Sequence, residues 1–245
     1  MREVILHVKE AFSDYAHRIH SIGAKTVEYA LTASEQEGEL EAAYDPLNRC
    51  ILLTPRFAGV ISLIAEQFHK PGDSFMATLW TLAHEVTHAI SHTKVIKEPD
   101  DGKNGILIIE TGIATAAARL ENGNVVGRFV DREILNEAIT NYYVLKMVQT
   151  RLPSLKSHLQ KLYKQLGNDQ DIRIVEKLIS FSGENAMHQA YFERKTRPLE
   201  KGLAQKGIDP EKFFSLMGCR SDSDRSVKLA AALHLIGVVP NTTSS

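Results

Sequence analysis

Cysteine is scarce in this 245-residue chain, which has two, Cys50 and Cys219, far apart. Two distant thiols exclude a disulfide framework and a cysteine-rich metal site. Long apolar runs are missing as well. No stretch approaches the roughly 20 apolar residues needed to span a bilayer. The opening MREVILHVKEAFSDYAHRIH carries charges and histidines where a signal peptide has an apolar core. Neither sign of charge is in excess: 29 Lys and Arg face 30 Asp and Glu, a formal net charge of −1. That balance gives no broad pull toward nucleic acid or an acidic membrane. Internal repeats and low-complexity blocks are absent too. What remains is ordinary globular composition, 43% hydrophobic and 24% charged, in a chain long enough for a substantial core and one or two domains. The default expectation is a cytoplasmic protein with reduced thiols and no nucleic-acid or membrane partner. Export by a route without an N-terminal signal leaves no mark here, and nothing sets an oligomeric state.

Periodicity predicts the organisation. Val4, Ile5, Val8, Phe12, Tyr15 and Ile19 recur at helical spacing. A second short helix is expected through Val27, Ala30 and Leu31, followed by the polar connector EQEGEL. Two short apolar runs flank Asp45-Pro46-Leu47-Asn48, which reads as a turn between two strands. Thr54-Pro55 reads as a helix start, with Thr54 as cap and Pro55 at the first helical position; Phe57, Val60, Ile61, Ile64 and Phe68 continue it until Lys70-Pro71-Gly72-Asp73. A stronger helix is expected from about Ser74 to Ser91, with Phe75, Leu79, Leu82, Val86, Ala89 and Ile90 as its apolar stripe. Residues 105–130 read as strands, with a turn at Glu121-Asn122-Gly123-Asn124. Helix resumes near Asp131, and everything after Pro153 reads as helical, with starts at Asp209-Pro210 and Ser221…Asp224. The expected fold class is therefore α+β, with residues 1–150 as a mixed catalytic half and 151–245 as a helical lobe.

Inside the strongest helix, His84-Glu85-Val86-Thr87-His88 matches H-E-x-x-H. Residues four apart lie one above the other on a helix, so both imidazoles can reach one ion. Glu85 sits at the edge of the same face, where a carboxylate can take a proton from water without binding the metal. The apolar stripe points away from that edge. Catalytic zinc needs three protein ligands and one open position. The third ligand must come from another element, and Glu137 in Leu135-Asn136-Glu137-Ala138-Ile139-Thr140-Asn141 supplies it on a helix. Asn141 follows one turn later on the same face, in phase to orient a ligand histidine. Glu110 is the competing candidate, at the end of the strand-like run ILIIE. Asp131 and Glu133 suit the electrostatics of a helix N-terminus instead.

HEVTHAI followed by NEAIT resembles the gluzincins, the zinc peptidases that include thermolysin and bind the metal through two histidines and a glutamate. The resemblance implies a zincin-like fold, with a small N-terminal sheet and the H-E-x-x-H helix followed by a helical lobe. It implies His84, His88 and Glu137 as zinc ligands and Glu85 as general base. An aspartate of the family pattern, which hydrogen-bonds a ligand histidine, falls at Asn141, which accepts a hydrogen bond but brings no charge. The two motifs span little more than a dozen residues. The order of parts is similar to that of compact bacterial gluzincin-like peptidases.

Such enzymes usually add a donor for the developing oxyanion, often Tyr or His from later in the chain. The segment Gly183–Phe192 offers Tyr191 and His188, against the plainer reading of a helix with Met187, Ala190 and Tyr191 in its core and His188 outside. Tyr142 and Tyr143 are further candidates. His7, His17, His20, His69, His158 and His234 lack a ligand-like partner in the pattern. The sequon Asn241-Thr242-Thr243 lies on a tail, and the pair of helices over 209–236 lacks a basic recognition face. The expected activity is hydrolysis of a protein or peptide substrate. A zinc hydrolase of non-peptide amides or esters and a non-catalytic zincin-like module are the alternatives. By analogy with zincins, the strand Cys50–Thr54 is expected at the sheet edge, pairing with an extended substrate.

Overall fold

The computed structural model describes residues 10, 23–26, 42–54, 57, 73–99, 104–122, 124–165, 169–218 and 222–238. The expected helices over 4–19 and 27–31, the body of the 54–68 helix, His7, His17, His20, His69, Cys219 and the tail from 240 lie outside the described residues.

A three-stranded sheet forms from β1 (Gly23–Thr26), β2 (Ala42–Asp45) and β3 (Cys50–Leu53), in the order β1-β3-β2. The turn foreseen between β2 and β3 is present. Asp45 Oδ1 accepts the N–H groups of Leu47 at 2.9 Å and Asn48 at 3.3 Å, so the side chain builds the turn. The two strands pair antiparallel, and β1, which carries no apolar pattern of its own, joins β3 in parallel. This corrects one expectation. The strand from Cys50 is central rather than at an edge, because β1 and β2 flank it on both sides. Cys50, Ile51 and Leu53 are accordingly buried. Thr54 caps the chain beyond β3, its Oγ1 accepting the Phe57 N–H at 3.2 Å, as the cap reading requires.

Helix α1 (Asp73–Ile90) follows, and then a four-stranded antiparallel sheet of β4 (Thr93–Pro99), β5 (Gly105–Thr111), β6 (Ala114–Glu121) and β7 (Asn124–Asp131), ordered β4-β5-β6-β7. Strand β4 was not foreseen. The turn after β6 was, and Asn122 there adopts a φ of +52°, a conformation Asn tolerates well. Helix α2 runs Glu133–Arg151 with Glu133 in its first turn, where a negative charge favours the helix dipole. A 3-10 turn (Pro153–Leu155) then leads to α3 (Lys156–Gln165), α4 (Asp169–Ser182), α5 (Glu184–Glu193), α6 (Arg197–Gln205), α7 (Pro210–Leu216) and α8 (Asp222–Leu235). Asp209 caps α7 as expected, accepting from the N–H groups of Glu211 and Lys212.

The fold is mixed α+β. By contacts it separates into two units that interleave in sequence: 1–90 with 143–167, and 91–142 with 168–245. In the first, α1 packs on β2, β3 and α3. Phe75, Leu79, Leu82 and Val86 bury its inner face, each such side chain contributing about 1.5–3 kcal/mol. In the second, α4, α5 and α6 pack together around Val175, Leu178, Met187 and Leu203. No helix among the described residues is long and apolar enough to cross a membrane.

Candidate metal centre

The apolar stripe of α1 fixes which way its polar edge points. Val86, Ala89 and Ile90 are buried, while His84 and Glu85 remain partly accessible and His88 is 8% exposed. One turn apart, the two imidazoles meet: His84 Nε2 and His88 Nε2 lie 3.0 Å from each other. Four zinc ligands at ordinary bond lengths stand about 3.3 Å apart, so this spacing suits two ligands of one tetrahedral ion. Thr87, fully buried between them in sequence, donates its hydroxyl to the Ala83 carbonyl at 2.7 Å, which disposes of a polar group on the inner face. Glu85 is held from outside the helix. The backbone N–H of Tyr44 on β2 donates to its Oε2 at 2.7 Å.

On α2, the residues around Glu137 are tied down one by one. Asn136 Oδ1 accepts the N–H of Ile113, at the β5–β6 turn, at 3.1 Å. That turn requires glycine at its other residue. Gly112 has a φ of +56°, and a Cβ there would stand 2.3 Å from Asn136 Oδ1 and 2.7 Å from Tyr191 Cε2. Thr140 donates to the Asn136 carbonyl at 2.8 Å and shares a 2.6 Å hydrogen bond with the Tyr191 hydroxyl. Asn141 Nδ2 donates to Asp171 Oδ2 at 3.1 Å. Asp171 is 3% exposed and has Arg225 at 3.7 Å. Asn141 on α2 is thus paired with a buried carboxylate on α4.

His84, His88 and Glu137 come together. One ligand atom from each lies within 4.8 Å of the other two, giving the His–His–Glu donor set anticipated from the motifs. Two imidazoles and a carboxylate are borderline-to-hard donors that suit zinc. Glu110 is engaged otherwise. Its Oε2 is 3.1 Å from His92 Nε2 and its Oε1 is 3.4 Å from Arg194 Nε. Arg194 also donates to the carbonyls of Gly112 and Ala114 and to the Thr115 hydroxyl. Burial lowers the Arg194 pKa from its ordinary value, and the Glu110 carboxylate opposes that shift.

Tyr191 lies on α5 with a side chain 0% exposed, its hydroxyl on Thr140 and its ring edge-on to Phe192. His188 is partly accessible, 4.0 Å from Glu184. This placement gives Tyr191 a packing and hydrogen-bonding task on α2. Tyr191→Phe is therefore expected to cost about 1 kcal/mol of stability, the usual worth of one hydrogen bond, and to leave metal binding and turnover intact. A loss of about 10²–10³ in turnover would instead assign it to the oxyanion. Tyr142 is half-buried, and burial, followed by the Glu176 carboxylate, raises its pKa. Sequence reasoning missed the Tyr44 amide, Asp171 and Arg194. Of these only Asp171 left a trace, as an acid placed against the apolar run of α4.

No protein-family model matches the chain, and neither does any curated protein or solved structure.

Proposed function

We propose that the chain is a zinc-dependent peptidase of the gluzincin type with a zincin-like catalytic core. The observation that carries this reading is the convergence of His84, His88 and Glu137, with Glu85 beside the two histidines on α1. Those three side chains would hold the metal. A bound zinc supplies a Lewis acid that polarises the scissile carbonyl and eases deprotonation of water. Glu85 accepts the proton from the attacking water and returns it to the leaving nitrogen. Its place one residue after His84 keeps it near the histidines, and its Oε2 accepts the Tyr44 N–H at 2.7 Å. Next to Glu137, Asn136 accepts the Ile113 N–H and so ties α2 to the β5–β6 turn.

Purified protein is expected to carry about one zinc per chain, because three ligands of the right kind are present. Incubation with a denatured proteome should generate new N-termini, and a chelator should abolish them. Elemental analysis showing substoichiometric zinc after reconstitution would refute the metal site. Full zinc without new N-termini, but with turnover of small amides or esters, would move the substrate to the non-peptide class.

A further inference from the structure

We propose that the backbone N–H of Tyr44 is the positioning group for Glu85, so that the edge strand of the first sheet sets the geometry of the general base. The proposal rests on the peptidase reading above. Tyr44 N lies 2.7 Å from Glu85 Oε2, across 41 residues of sequence. Strand β2 pairs with β3 alone among the described strands, and Tyr44 stands opposite Ile51 in that ladder. In an antiparallel pair, alternate residues turn their N–H groups away from the partner strand. The Tyr44 N–H is directed to Glu85, so no ladder bond is given up for this contact.

A backbone donor differs from a side chain in having no rotamers of its own. The sheet fixes its direction, and a bond to a carboxylate is short and charge-assisted. A helix-borne glutamate otherwise samples several rotamers, and restricting them costs free energy. Here the strand meets that cost during folding, so the carboxylate does not have to be ordered at each turnover.

The test replaces the Tyr44 amide by an ester, through the α-hydroxy analogue of tyrosine, which removes the N–H and keeps the side chain. Zinc-loaded protein is assayed on a mixture of quenched-fluorescence peptides of random sequence. The expected result is a fall in kcat of about ten- to a hundredfold, the worth of a hydrogen bond to a charged group, with apparent KM and zinc content unchanged. Thermal unfolding gives a readout independent of activity: the ester should lower the midpoint of the wild type more than that of Glu85→Ala. If kcat is unchanged while Glu85→Gln is inactive, the positioning role is overturned and the peptidase reading stands. The role is equally overturned if the ester shifts both unfolding midpoints alike. If zinc-loaded wild type cleaves nothing in the mixture, the peptidase reading falls and takes this proposal with it.

Discussion

Glu85→Gln should retain one zinc per chain and lose hydrolysis by about 10²–10⁴, the usual contribution of a positioned general base. The substitution is close to isosteric. The donor set is His84, His88 and Glu137, and Glu85 is not part of it, so metal content should be unchanged. The glutamine carbonyl can still accept the Tyr44 N–H that Glu85 Oε2 accepts at 2.7 Å, so the link between β2 and α1 can survive. What disappears is the capacity to take a proton from water, since an amide is not basic near neutral pH. Zinc retained with activity lost therefore isolates the base from the ligands. Cleavage at the wild-type rate would remove Glu85 from the mechanism, and zinc loss would make it a ligand.

The α1 helix was legible because two independent patterns coincide in it: an apolar stripe of period 3.6, and polar residues at i and i+4 on the other side. Helix α2 was legible for the same reason. The hairpin of β2 and β3 could be read because Asp45 and Pro46 separate two apolar runs. The edge assignment of Cys50–Leu53 failed on a signal that was present. A continuous run such as CILL is what a strand buried on both faces looks like, and edge strands are usually more polar. Strands β1 and β4 were missed for lack of such a signal. Gly23–Thr26 is extended because β3 offers it a partner, and Thr93–Pro99 mixes lysines with two apolar residues in no clear alternation. At the candidate site, the sequence pattern marked the His84, His88 and Glu137 group that could hold a metal ion, but not the backbone and side-chain partners around it. The Tyr44 amide has no letter in the sequence, and the pairing of Asn141 with Asp171 joins residues 30 apart whose proximity only the fold creates.

Glu137→Ala should weaken zinc binding by about 10²–10³-fold, whereas Glu110→Ala should leave it close to the wild type. A four-ligand zinc site binds with roughly 10–16 kcal/mol, so one ligand's share corresponds to about that factor at about 1.4 kcal/mol per tenfold change. Both residues are carboxylates, and from the sequence alone either lies within reach of the histidines. Glu137 contributes an oxygen to the group within 4.8 Å that includes His84 and His88. Glu110 has one oxygen 3.1 Å from His92 and the other 3.4 Å from Arg194. Removing it leaves Arg194 with the Gly112 and Ala114 carbonyls and the Thr115 hydroxyl. The cost of that change falls on the stability of the second sheet, not on the metal. Titration of both apoproteins with zinc decides between them, and their unfolding midpoints should respond in the opposite sense, with Glu110→Ala the more destabilised when no metal is present. A reversed order of affinities would give the third ligand to Glu110. Equal losses would mean that neither carboxylate binds the metal directly. Glu137→Asp refines the result, because it keeps the charge and withdraws it by one methylene. Binding intermediate between wild type and Glu137→Ala would show that the carboxylate acts through contact with the metal and not through its charge at a distance.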